Sequence, residues 1–118
     1  MANGAMPFTT LSLLVMLLVL IPEVTVDLVS GQKTWCVAKP STGDTALLDN
    51  IHFACSMEDC SCIAKGGICF LPNTLISHAS IAMNLYYQSQ GKNSWNCHFN
   101  GTGVQVLTDP SYGQCKYA

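Results

Sequence analysis

Arginine is absent from this chain of 118 residues, and charged residues of all kinds make up only 10% of it. A protein that grips phosphate backbones wants a basic face and usually guanidinium forks, so nucleic acid is not expected as a partner. An anionic membrane surface is disfavoured for the same reason. Acids are scarce too: there are seven, and Glu23 and Asp27 fall in an N-terminal segment unlike the rest. The remaining Asp44, Asp49, Glu58, Asp59 and Asp109 balance Lys33, Lys39, Lys65, Lys92 and Lys116, leaving a formal charge of zero beyond that segment. A glycosidase sets two carboxyl groups about 5 to 9 Å apart across the scissile bond. Nothing in these five resembles such a pair, and neither a Ser-His-Asp order nor an activated thiol is evident. No catalytic residue, and no enzyme, is expected. Repeats and low-complexity linkers are also missing.

Long apolar runs are absent as well. The stretch Phe8–Ile21 is uncharged for 14 residues and is followed at once by Pro22 and Glu23. It is too short to span a bilayer comfortably and fits the apolar core of a secretory signal peptide. Ser30 and Gly31 are small, so cleavage is placed after Gly31. That divides the chain into a leader over 1–31 and one exported domain over 32–118, which is 87 residues. The polar end, Ser111 to Ala118, offers no hydrophobic tail, and no stable membrane anchor is expected. In an exported chain, Asn100-Gly101-Thr102 is a glycosylation sequon on a surface loop.

Cysteine is what the chain has in quantity. All seven lie between Cys36 and Cys115, after the leader. A domain this small cannot rely on a large core, so cross-links must supply much of its order. Six can pair and one is left over, and six allow fifteen connectivities that sequence alone does not separate. Cys60-Ser61-Cys62 with His52, His78 and His98 has the makings of a metal site. An oxidising destination argues against it, because thiolate sites are favoured where thiols stay reduced. No metal and no cofactor are expected.

Periodicity gives two helices. In the first, Thr45 to Ala54, Leu47, Leu48, Ile51 and Ala54 share one stripe, and Asp44 is placed to cap the first turn. The second runs from Asn73 to Gln90, with Leu75, Ala79, Ala82 and Tyr86 on a stripe flanked by Ile76 and Met83, and Gly91 set to end it in the left-handed conformation. Gly66-Gly67 reads as a tight turn with positive φ angles. After Cys97, Val104-Gln105-Val106 alternates and Asp109-Pro110 signals a turn, which implies two short strands there. The fold class is a small disulfide-rich α+β domain: two helices, a short antiparallel ribbon and long coil.

An ordered set of local motifs carries a resemblance. Trp35-Cys36-Val37-Ala38, Ala54-Cys55, Asp59-Cys60, Gly66-Gly67-Ile68-Cys69-Phe70, Pro72-Asn73 and His78-Ala79-Ser80 come first. Asn84-Leu85-Tyr86-Tyr87-Gln88, Cys97-His98-Phe99 and Asp109-Pro110-Ser111-Tyr112-Gly113-Gln114-Cys115 follow. Together they resemble the plant X8 domain, the carbohydrate-binding module of family 43, over Trp35 to Tyr117. The resemblance implies a non-catalytic domain that binds 1,3-β-glucan of the callose or laminarin type in the cell wall or apoplast, as a stand-alone secreted protein. It also implies three bridges, Cys36–Cys97, Cys55–Cys60 and Cys69–Cys115, with Cys62 outside the pattern. His98 is a second departure, since the family usually shows aspartate there.

A neutral glucan offers patches of C–H that pack on aromatic faces, and hydroxyls that want amide or carboxylate partners. Tyr86 and Tyr87 lie about 100° apart on a helix, so one faces in and the other out. Because Tyr86 continues the apolar stripe, Tyr87 is expected outside. Tyr87, Trp95 and Tyr112 are the expected stacking platform, with Asn84, Gln88 and Asp109 as hydrogen-bonding neighbours. Trp35 and His78 are expected to serve structure. The competing reading is a cysteine-rich defence or signalling peptide, or a protease inhibitor, for which the neutral charge removes membrane attack.

Overall fold

The computed structural model describes residues 32–118; the expected leader over 1–31 lies outside the described residues. Strand β1 is Trp35–Ala38, helix α1 is Asp44–Met57, helix α2 is Leu75–Ser89 and strand β2 is Gly103–Val106. Short 3₁₀ turns at Ser61–Ile63, Ser94–Cys97 and Phe99–Gly101 fill the connections. The expected α+β class is what forms, and all three bridges implied by the resemblance are present: Cys36–Cys97, Cys55–Cys60 and Cys69–Cys115. Cys62 is the free cysteine. Bridges at sequence separations of 61 and 46 restrain the unfolded chain by about 4 kcal/mol each in the chain-entropy model, and the one at separation 5 by about 2.

Helix α1 begins one residue earlier than expected. Gly43 is the N-cap, without a side-chain hydrogen bond, and Asp44 sits inside the first turn, where its charge still favours the helix dipole. At the start of α2, Thr74 caps with its hydroxyl, which accepts from the Ser77 amide at 3.3 Å. The other end closes as the glycine signal implies. Gly91 takes φ +99°, its amide donates to the Gln88 carbonyl at 3.2 Å, and the Lys92 amide donates to the Tyr87 carbonyl at 3.0 Å. That double return is the Schellman closure.

Two glycine and strand expectations need correction. Gly66 has φ +90°, but Gly67 does not adopt a positive φ. A Cβ on Gly67 would lie 2.3 Å from the Cys62 carbonyl oxygen, so close backbone approach is what demands glycine there. The segment after Cys97 supplies one strand instead of two. Its partner is β1, antiparallel, with Trp35 opposite Val106 and Ala38 opposite Gly103. Tyr112 and Cys115 form only an isolated bridge.

Helix α2 is the centre of the domain. Ala79, Ser80, Ile81, Ala82, Met83, Asn84 and Tyr87 are all buried, which covers nearly its whole circumference. One side packs with Leu47, Cys36, Ala38 and Cys97, and the other with Ala54, Ile63, Cys69 and Cys115. Ser80 and Asn84 are four residues apart on the face toward β1. The Ala38 amide donates to the Ser80 hydroxyl at 3.0 Å and the Cys36 amide to the Asn84 carbonyl oxygen at 3.1 Å. Four residues of helix rise about 6 Å and two of strand about 6.6 Å, so the spacings match. Side chains of α2 therefore satisfy the free edge of β1.

Asn84 does more than meet β1. Its amide nitrogen donates to the Ala118 carbonyl at 3.2 Å, and its oxygen also accepts from Gln88 at 3.2 Å, in a site only 1% exposed. Removing a buried side chain that satisfies several groups costs each of them its partner. Asn84→Ala is predicted to destabilise the oxidised domain by about 2 to 4 kcal/mol in urea unfolding. A loss below about 0.5 kcal/mol, the ordinary range for a surface change, would contradict this role.

Candidate functional site

The expected platform residues do not come together. Tyr87, expected to face out, is 0% exposed. Its hydroxyl pairs with the Thr34 hydroxyl at 2.6 Å and accepts from Gln105 Nε2 at 2.8 Å, tying α2 to the strands. Because α2 is buried nearly all round, continuing the apolar stripe did not distinguish Tyr86 from Tyr87, and Tyr86 is the more exposed of the two. Asn84 is buried as described, and Gln88 donates to the Thr34 carbonyl at 2.9 Å. Tyr112 lies at the opposite end of α2. Its hydroxyl donates to the Leu71 carbonyl at 3.0 Å and lies 3.2 Å from the Ser77 hydroxyl. Nine residues of helix separate Ser77 from Tyr86, about 13 Å of rise. Asp109 is exposed, and its carboxylate accepts from the Ser111 amide at 2.9 Å and the Ser111 hydroxyl at 2.6 Å, which makes the expected turn.

Trp95 is where the expectation and the structure agree on exposure. It is 72% exposed, on the 3₁₀ turn that ends at Cys97. It lines a cleft of about 430 Å³ with Phe53 from α1, Tyr86 from α2 and Phe99. Phe53, Tyr86 and Phe99 form a mutual edge-to-face group, with centroids 5.0, 5.8 and 6.1 Å apart and planes 68° to 77° from parallel. Such T-shaped contacts hold each ring in place. The polar lining is Asp49, Asn50, Asn96, His98 and Asn100. Asn96 Oδ1 is buried there without a hydrogen-bond partner. Asp49 is the single carboxylate on this wall, so no second carboxyl faces it across the cleft.

The backbone is bent to make this wall. Phe99 and Asn100 both take the left-handed conformation, at φ 45° and 53°. For an aromatic residue that is an outlier, of a kind that costs about 1 to 3 kcal/mol and clusters at binding sites. Backbone bonds run from the Gly101 and Gly103 amides to the His98 carbonyl and from the Thr102 amide to the Phe99 carbonyl. Besides these, two side-chain bonds hold it: the Thr102 hydroxyl donates to the Phe99 carbonyl at 2.6 Å and accepts from Asn50 Nδ2 at 2.9 Å. Gly103 permits the return, because a Cβ there would lie 2.0 Å from the Cys97 carbonyl oxygen. Sequence reasoning missed Phe53, Tyr86 and Phe99. The usable signal was the crowding of Trp95, His98 and Phe99 around Cys97, within two residues on either side.

Away from the cleft, His78 Nε2 lies 2.6 Å from the Phe70 carbonyl, a structural pairing as expected. Among the described residues, no group of three His, Cys, Asp or Glu is placed to hold a metal. No helix among them is long and apolar enough to cross a membrane. Burial pushes the Cys62 thiol above its ordinary 9.0, with the Asp59 charge a lesser contributor in the same direction. Tyr117 is pushed up to about 12, chiefly by burial.

What the fold and cleft define is a small cystine-stapled domain with an aromatic, lightly charged cleft wall. Comparison with known sequences is consistent with it: residues 34–104 match the X8 domain family. This chain belongs to the X8 domain family, as its motifs implied. It is 51% identical over 88 residues to a glucan endo-1,3-beta-glucosidase of Triticum aestivum, covering 75% of this chain and 19% of that protein. A glucan endo-1,3-beta-D-glucosidase of Olea europaea is 52% identical over 85 residues, 71% of this chain and 18% of that one. The major pollen allergen Ole e 10 of Olea europaea is 47% identical over 89 residues, with 74% and 72% covered. The chain thus spans about a fifth of the length of the two glucosidases, and nearly three quarters of the allergen.

A thiol held protonated is a poor nucleophile. Cys62 in the folded domain is predicted to react with iodoacetamide at pH 8 several-fold more slowly than in the urea-unfolded, bridge-intact chain. Folded and unfolded rates that coincide would contradict the burial argument. The same raised values set a sign for stability: the folded state keeps protons that the unfolded chain releases. The contribution is therefore whole below pH 9.0 and is lost as pH rises through the folded values.

Proposed function

We propose that this domain is a non-catalytic module that binds 1,3-β-glucan in the cell wall or apoplast, using the cleft at Trp95. The observation that carries the reading is a largely exposed tryptophan beside a braced aromatic group, on a wall with a single carboxylate. Pyranose rings present apolar faces that stack on such a surface, while Asp49, Asn96 and His98 supply hydrogen-bonding groups for hydroxyls. A neutral polymer needs no basic patch, in keeping with a domain that lacks arginine. Two carboxyl groups across a scissile bond are what hydrolysis requires, and this wall offers one. Membership of the X8 family supports carbohydrate as the ligand class. The names of the wheat and olive glucosidases point to the 1,3-β linkage. Three bridges suit an oxidising compartment and an extracellular wall.

Affinity electrophoresis in gels containing laminarin tests this directly. The oxidised domain is predicted to be retarded. Trp95→Ala weakens retardation on the order of ten-fold, equivalent to about 1.4 kcal/mol, without loss of fold. Tyr87→Phe lowers stability by about 1 kcal/mol and leaves retardation unchanged, because its hydroxyl only joins elements of the frame. Equal mobility of wild type and Trp95→Ala would discard the cleft.

A further inference from the structure

The sequon lies on the rim of the same cleft. Asn100 is exposed and lines the aromatic wall, yet its side chain makes none of the hydrogen bonds that hold the turn. The turn is held from its flanks, by Thr102 on the Phe99 carbonyl and by Asn50 on Thr102. Substitution at the Asn100 amide nitrogen therefore breaks no bond of the fold, and asparagine tolerates the left-handed backbone that the position imposes.

Resting on the functional reading above, we infer that Asn100 is an N-glycan site whose glycan covers the Trp95 cleft, so that the glycosylated form is closed to glucan. The group transferred is an oligosaccharide carried on a lipid diphosphate in the secretory pathway. Asn100 Nδ2 bonds to C1 of the sugar, the bond from C1 to the diphosphate oxygen breaks, and the lipid diphosphate leaves while the amide proton passes to solvent. In the folded domain the Thr102 hydroxyl is engaged by Phe99 and Asn50. The sequon pair is open only before the turn closes, so modification precedes folding. Once attached, the rings beyond the first N-acetylglucosamine reach over Trp95 and Phe53, the same kind of surface a free glucan would use. A short tether corresponds to a millimolar effective concentration, enough to outcompete a free polysaccharide that binds more weakly than the tethered rings.

The test uses the full chain secreted by a eukaryotic host. It compares the glycosylated form, the same form trimmed by an endoglycosidase to one N-acetylglucosamine, and unglycosylated oxidised domain. Mass spectrometry of the peptide holding Asn100 is expected to show the oligosaccharide. Laminarin retardation of the glycosylated form is expected to be about ten-fold weaker than that of the unglycosylated domain, with recovery on trimming. A second readout needs no glucan. The chain has two tryptophans; Trp35 is 7% exposed and Trp95 is 72% exposed, so acrylamide quenching reports on Trp95. Quenching is expected to be shielded in the glycosylated form and restored by trimming. Unmodified Asn100 in the secreted chain overturns the inference. So does a glycosylated form in which Trp95 is quenched and glucan retards as in the bare domain. Shielding of Trp95 with no retardation of any form would uphold the covering glycan and remove the glucan reading instead.

Discussion

Helix α2 can be buried on nearly every side only because the polar groups on it find partners. Ser80 and Asn84 face the outer edge of β1 and accept from the amides of Ala38 and Cys36 at 3.0 and 3.1 Å. Without those two acceptors the strand edge would have to face water, and the helix would lose the cover that keeps Met83 and Tyr87 dry. The match between four residues of helix and two of strand is thus the constraint around which the domain is built. Apolar packing follows from it on both flanks of α2.

The candidate site inherits its position from this frame. Cys36, whose amide is held by Asn84, is bonded through sulfur to Cys97, and Cys97 stands between Trp95 and Phe99. Through β1, one anchor fixes the cleft wall to α2, while Tyr86 on α2 and Phe53 on α1 supply the opposing rings. The left-handed Phe99 and Asn100 are tolerated because Thr102, Asn50 and Gly103 leave the turn no easier path. Two of the three left-handed non-glycine residues among those described lie on this wall, and the remainder of the domain holds them there.

Much of the fold could be read from the residues, for identifiable reasons. Apolar spacing located both helices and Gly91 the end of the second, whereas that helix starts at Leu75 behind a Thr74 cap and not at the expected Asn73. Pairing of the cysteines was open to geometry and became legible only through family motifs, since fifteen arrangements suit six cysteines. β1 was not legible: Trp35–Ala38 is four residues long, and its partner β2 lies more than sixty residues away in sequence. Gly67 and Gly103 are required by carbonyl oxygens 2.3 and 2.0 Å from where a Cβ would sit, which no local pattern reveals. The site was half legible. Trp95 was among the aromatics expected at the surface, but apolar spacing could not rank Tyr86 against Tyr87 on a helix covered nearly all round. Tyr112 failed as a partner for Trp95 because α2 separates them along its length.

In the proposed function the aromatic wall at Trp95, and no other part of the surface, meets the polysaccharide. Titration of the isotope-labelled unglycosylated domain with a laminari-oligosaccharide, followed by proton–nitrogen NMR, addresses it most directly. The Trp95 indole signal and the amides of 95–100 are predicted to move together and saturate, while the buried Trp35 indole stays in place. Movement centred on Leu71, Ser77 and Tyr112 at the other end of α2, with Trp95 unmoved, would contradict it.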